Sequence, residues 1–136
     1  MPTQLARNDD GSTGAVPLGF NVNFFGANFT QTFVNNNGNI TFDSPLATFT
    51  PFPLQNTARQ IIAPFFADVD TRNAASGITN FGNGTVDGRQ SFLVNWPDVG
   101  YFNSRADRRN NFQLVVINRS DIAPGDFDIE FNYRTI

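Results

Sequence analysis

No cysteine, histidine or lysine occurs anywhere in the 136-residue chain, and glutamate and methionine occur once each. The missing cysteine excludes a disulfide framework and a thiolate metal site, and the missing histidine removes the commonest general base. With few strong helix formers and abundant Asn, Phe, Thr, Gly and Pro, the chain is expected to be all-β. Positive charge is thin too: the net charge is −3, and no cationic run is longer than the pair Arg108 and Arg109. That is not the electrostatic footprint of a nucleic-acid binder. No apolar stretch is long enough to cross a bilayer, and the opening MPTQLARNDDG lacks the charged and apolar regions of a signal peptide, so membrane insertion is not expected.

What the chain has in excess is phenylalanine, sixteen of them, more than any aliphatic type. A fully buried Phe contributes roughly 1.5–3 kcal/mol, so aromatic packing is expected to dominate the core. The length suits one domain, residues 1–136.

Residues 61–72, IIAPFFADVDTR, stand out. An apolar run broken only by Ala63 and Pro64 reads as a strand buried on both faces, with an acidic pair at its end. In an extended strand Asp68 and Asp70 point to one side, and Arg72 continues that face. Their carboxylates converge unless a cation, an arginine or backbone N–H groups hold them. The plainer alternative is an Asp–Arg cluster. A second acidic pair, Asp9 and Asp10, lies in the turn-forming run RNDDGSTG, which is either a solvated Asx-turn or part of an oxygen-ligand site for a hard cation such as calcium. If the two segments meet, Asp9, Asp10, Asp68 and Asp70 are the expected metal ligands.

Strands are expected over residues 16–25, 29–35, 40–43, 91–96, 112–118 and 127–133. Asn37-Gly38 is expected to form a two-residue type I′ hairpin turn, and Asp87-Gly88 a second hairpin turn. Residues 44–54 contain Pro45, Pro51 and Pro53 alternating with Phe49 and Phe52, the pattern of an ordered crossover whose aromatics plug the core. Residues 73–84 read as a mobile loop or weak edge hairpin. Residues 97–111 read as a long surface excursion, where Tyr101, Phe102 and Arg105 are candidate partner contacts. With Trp96, the first two of these form a candidate stacking platform for sugars; the alternative is that these rings anchor the loop to the core.

The blocks RNDDGSTGAVPLGFNVNFFG, VNNNGNITFDSPLATFTPFPL, IIAPFFADVDTR, FLVNWPDVGYFN and FQLVVINRSDIAPGDFDIEFNY together resemble the successive blocks of the nidogen-like (NIDO) domain, over nearly the whole chain. They are similar to versions in secreted bacterial proteins and in animal matrix and mucin-like proteins. The resemblance implies an antiparallel β-sandwich and a non-catalytic extracellular adhesion or matrix module, one part of a longer secreted protein, contacting protein or glycan. It also implies further strands after FDIEFNY, so the C-terminal part of the family pattern is expected to be missing. If the sandwich is incomplete, residues 127–133 or a neighbouring strand are expected to expose an open edge, a template for strand addition by a partner or a second copy. Hydrolysis by Asp68 and Asp70 is not expected, because two carboxylates neighbouring on one strand do not flank a cleft.

Overall fold

The computed structural model describes residues 3–48 and 60–136, and every regular element among them is a strand. The order is β1 (Thr3–Gln4), β2 (Val16–Phe24), β3 (Ala27–Asn35), β4 (Asn39–Thr41), β5 (Ile61–Ile62), β6 (Asn80–Val86), β7 (Arg89–Tyr101), β8 (Arg105–Asn118) and β9 (Phe127–Thr135). They form two antiparallel sheets, β1-β6-β7-β8-β9 and β2-β3-β4-β5, which pack as a sandwich. β2 shows why: Leu18, Phe20, Val22 and Phe24 alternate inward while their neighbours face solvent, the period of a half-buried strand. At one end of β2, the Leu18 carbonyl accepts a bond from Asn83 on β6. At the other, Phe24 meets Phe127 at the start of β9. β2 therefore runs across the five-stranded sheet.

The core is as aromatic as the composition implies. Trp96 stacks on Phe112 at 4.9 Å, and Phe42 contacts both Phe24 and Phe29 at 5.0 and 5.1 Å. Aliphatic side chains from both sheets, Val34, Ile40, Val94 and Val116 among them, fill the space between.

Asp87-Gly88 is a two-residue hairpin turn, with Val86 opposite Arg89 and φ positive at both turn residues, as type I′ demands. Asn37-Gly38 lies in a hairpin but not in that turn. Asn35 pairs with Asn39, which leaves three residues in the loop, and among them only Gly38 has positive φ. Glycine is needed there because the tip docks on the central stretch: a Cβ at position 38 would lie 1.7 Å from the Phe65 carbonyl oxygen.

Three other expectations are corrected. The central stretch is a strand only at Ile61–Ile62. Beyond Pro64 it follows an irregular path held by single backbone bonds to the Asn37 and Gly38 carbonyls, to Gly100 and to Asn8. Residues 97–111 are no loop: β7 continues to Tyr101 and β8 begins at Arg105. Irregularities between Trp96 and Tyr101 accommodate Pro97 and Asp98, a common use of bulges. The start of β8 is largely exposed, so no alternating pattern marks it. Likewise Asn80–Val86 is an ordinary strand between β1 and β7, its Gly84 lying close under Leu93. Phe49, Pro51, Phe52 and Pro53 of the expected crossover lie outside the described residues.

Candidate functional site

The irregular path after β5 brings the two acidic segments together. Carboxylate oxygens of Asp9, Asp10 and Asp68 lie within 4.8 Å of one another. Among the described residues, one oxygen each of Asp9 and Asp68 is buried without a hydrogen-bond partner. The Asn37 amide donates to Asp10 Oδ1 at 2.9 Å. Burial and the neighbouring charges of Asp10, Asp70 and Asp68 push the Asp9 carboxyl up to about 6, against an opposing pull from Arg72. Asp68 is raised as well, by burial first and then by Asp10, with its closeness to the Asp9 carboxyl and to Arg72 working the other way. Three crowded carboxylates are relieved either by taking up protons or by a cation.

Asp70 does not join them. Its carboxylate is fully buried and accepts from the Arg72 guanidinium at 2.6–3.1 Å, from the Arg72 N–H at 3.0 Å and from the Ser104 N–H at 2.8 Å. Burial works against its charge, but these donors outweigh that and hold the group below the ordinary carboxylate range. Arg72 also lies 3.7 Å from Asp9, so Asp70 sits in an Asp–Arg cluster beside the group formed by Asp9, Asp10 and Asp68. Asp68 and Asp70 take different partners, Asp68 beside Asp9 and Asp10 and Asp70 under Arg72 and Ser104, while Val69 between them bridges to Tyr101.

Two residues that sequence reasoning passed over build this site. Asn36 is 1% exposed. Its Nδ2 donates to the carbonyls of Asn8, Asp9 and Val69, its Oδ1 accepts from Thr79, and its own carbonyl accepts from the Trp96 indole. It therefore ties the acidic loop, the central stretch and the core to the β3–β4 hairpin. Arg7 donates to the carbonyls of Thr71, Asn73 and Ser76 at 2.7–2.9 Å, clamping the chain just before Asp9 onto the segment that follows Asp70. Between them the loop is closed locally by Asn8, whose Oδ1 accepts from Gly11 N–H three residues on. The only local signal was a run of three asparagines, which reads first as a turn.

The aromatic candidates separate. Trp96 is fully buried, stacked on Phe112, so it is no part of a sugar platform; a ring of that size completes the core. Tyr101 is half-buried and donates to Asp107 across the hairpin. Phe102 is 53% exposed at the β7–β8 tip, and Arg105 beside it is exposed. The bond from Ser104 to Asp70 places this tip next to the acidic loop.

The profile described as NIDO related matches residues 2–135. The chain is 29% identical to Nidogen of Drosophila melanogaster, over 83% of this chain and 10% of that protein. It is 31% identical to alpha-tectorin of Mus musculus, over 85% of this chain and 6% of that protein. With alpha-tectorin of Gallus gallus the identity is 32%, over 98% of this chain and 7% of that protein. The chain thus spans a tenth or less of the length of these relatives. No solved structure matches it significantly. A profile match over nearly the whole length, on a two-sheet β fold, leaves one assignment: the chain belongs to the NIDO-related family.

Proposed function

We propose that the chain is a non-catalytic extracellular matrix or adhesion module whose N-terminal loop is organised by a calcium ion at Asp9, Asp10 and Asp68. The observation that carries the calcium reading is the pair of buried carboxylate oxygens without partners, on Asp9 and Asp68, inside a three-carboxylate cluster. Calcium takes oxygen ligands at about 2.3–2.6 Å, a radius that fits oxygens 4.8 Å apart at most. Nearby carbonyls or water would complete its shell. The relatives named nidogen and alpha-tectorin support the matrix setting, where calcium is plentiful. The role is presentation: the ion would hold the acidic loop, and through Asp70 and Ser104 the adjoining Phe102 tip, in a fixed shape for a protein or glycan partner.

Catalysis has little support. Asp70 is neutralised by Arg72, and Asp68 faces other carboxylates rather than a cleft. The sugar-platform reading is left with Phe102 as its one exposed ring of the three, too little for a stacking surface.

Calcium titration by calorimetry, with thermal unfolding in parallel, tests the proposal. Extracellular calcium modules commonly bind with Kd of about 0.1–1 mM, and at ten times Kd the ion would add about 1.4 kcal/mol. Asp68→Asn is expected to abolish the binding heat and the calcium-dependent rise in Tm. In chelator at neutral pH the same substitution is expected to raise Tm, because it removes one of three crowded charges. Loss of Tm in both conditions, or no binding heat in the unaltered protein, would sink the calcium reading.

A further inference from the structure

The outer face of the five-stranded sheet, turned away from the core, carries a row of amides. Val94, Trp96, Phe112 and Leu114 are buried in the core, so Asn95 and Gln113, which alternate with them along β7 and β8, point outward. Register places Gln4, Asn80, Asn95, Gln113 and Asn132 side by side. Every strand of the sheet contributes one amide at this level. Next along the same face the register aligns Gly82, Leu93, Val115 and Glu130, and beyond them Gly84, Ser91, Ile117 and Asp128. Those rows mix sizes and polarities, so the amides are confined to one level.

Hydrogen bonds join the last four. Asn132 donates to Gln113 at 2.9 Å, Gln113 to Asn95 at 2.8 Å and Asn95 to Asn80 at 2.8 Å. The bonds run one way across the sheet and hold each side chain in place. A primary amide has two N–H groups and two lone pairs, so Asn95 and Gln113 each keep one donor and one acceptor beyond the row. Asn80, Asn95 and Gln113 are half-buried and Asn132 is exposed, which leaves those groups open to a ligand. A groove of about 450 Å³ lies over the row, lined as well by Pro97 and Asn111, where β7 and β8 lose regular register.

The chemistry of the groove selects its ligand. Adjacent strands lie about 4.8 Å apart, so the four bonded amides offer donors and acceptors at that spacing over about 14 Å. Sugar hydroxyls donate and accept at once, and a vicinal pair of them matches the N–H and C=O of one amide. A protein partner would need apolar anchors, and the row offers none. A polyanion would need cations, and among the described residues Arg134 is the one charged group at the margin. We propose that this row binds a neutral oligosaccharide, held by hydrogen bonds from Asn80, Asn95, Gln113 and Asn132 and not by ring stacking. Because the side chains are already bonded to one another, little freedom is lost on binding. The site shares no residue with the acidic cluster and needs no calcium.

Heteronuclear NMR of the isotope-labelled chain, in chelator, reads the side-chain amide signals directly. The probes are neutral trisaccharides of glucose, galactose, mannose and N-acetylglucosamine, each raised to tens of millimolar, with a uronic-acid trisaccharide as the charged comparison. At least one neutral probe is expected to shift the amide signals of Asn95, Gln113 and Asn132 along a common saturation curve. The amide of Gln90, which accepts from Asn118 toward the other end of the sheet, should not move. Gln113→Ala interrupts the row at its centre and is expected to weaken binding about tenfold or more. Asn132→Ala removes one exposed donor, which no packing depends on, and is expected to weaken it about threefold. Gln90→Ala should leave it unchanged. The backbone signals of each variant show whether the fold survives, and Asn132→Ala carries the test if Gln113→Ala does not fold. No shift with any neutral probe would overturn the proposal, as would binding that Asn132→Ala leaves intact. Shifts caused by the uronic-acid probe alone would move the contact to Arg134 and overturn it too.

Discussion

Asn36→Asp is expected to destabilise the protein by about 4 kcal/mol or more, lowering Tm by about 10 °C or more. The substitution leaves the shape of the side chain almost unchanged, so packing is preserved and only the hydrogen-bonding sense is inverted. The Asn36 amide donates to three carbonyl oxygens at 2.8–3.2 Å, and an ionised carboxylate at that place can donate to none. It would set a buried negative charge against three carbonyls and beside the crowded Asp9, and buried uncompensated charge is among the costliest single changes. Asn36→Ala, which loses the bonds without adding the charge, is expected to fall between this variant and the parent. Asn28→Asp is the control: its Oδ1 is an exposed acceptor from Asn21 and Asn23, a role a carboxylate keeps, so its effect should lie within about 0.5 kcal/mol. Denaturant unfolding of the four proteins decides the matter. Equal losses at positions 28 and 36 would mean that Asn36 is not the hub its bonds describe.

The contrast between those two asparagines marks the limit of what the sequence could tell. β2 and the apolar part of β8 were legible because one buried face leaves alternation or an apolar run in the chain, and the Asp87-Gly88 turn because its backbone demands particular residues. The central stretch was misread for a physical reason. Ile61, Ile62, Phe65 and Phe66 look like one strand, but Pro64 has no N–H to give a ladder, and the rest of the path is set by the β3–β4 tip closing over it at Gly38 and Phe65. Of the candidate site, the residue types were legible and the grouping was not. Asp68 and Asp70 are neighbours in sequence, yet one meets Asp9 and Asp10 while the other is taken by Arg72 and Ser104. Buried asparagines that hold loops by carbonyl contacts leave no periodic trace, so Asn36 read as turn material.

In chelator, stability is expected to fall as pH rises from about 4 to about 6, and calcium is expected to reverse that trend. The sign follows from the raised carboxyl groups. Asp9 is lifted from 3.8 to about 6 in the folded protein, and Asp68 is lifted too. In that window the folded chain holds protons that the unfolded chain has released, so unfolding free energy declines with pH. For Asp9 alone, whose side chain is 19% exposed, the decline amounts to about 3 kcal/mol, or about 10 °C in Tm, once pH exceeds about 7. Asp70 acts in the opposite direction but elsewhere. Its group is held below the ordinary range, so its contribution is full above about pH 4 and is lost only on further acidification. A calcium ion binds the ionised cluster and competes with the protons, so its stabilisation is near zero at about pH 4 and largest above about pH 6. Thermal unfolding across this range, with calcium and with chelator, should therefore give curves that meet in acid and diverge toward neutrality. Curves that run parallel would place calcium away from Asp9 and Asp68. A chelator curve that rises through the window would mean that the carboxylates are already compensated by other groups. Asp68→Asn separates these cases: it should flatten the chelator curve and bring the two curves together.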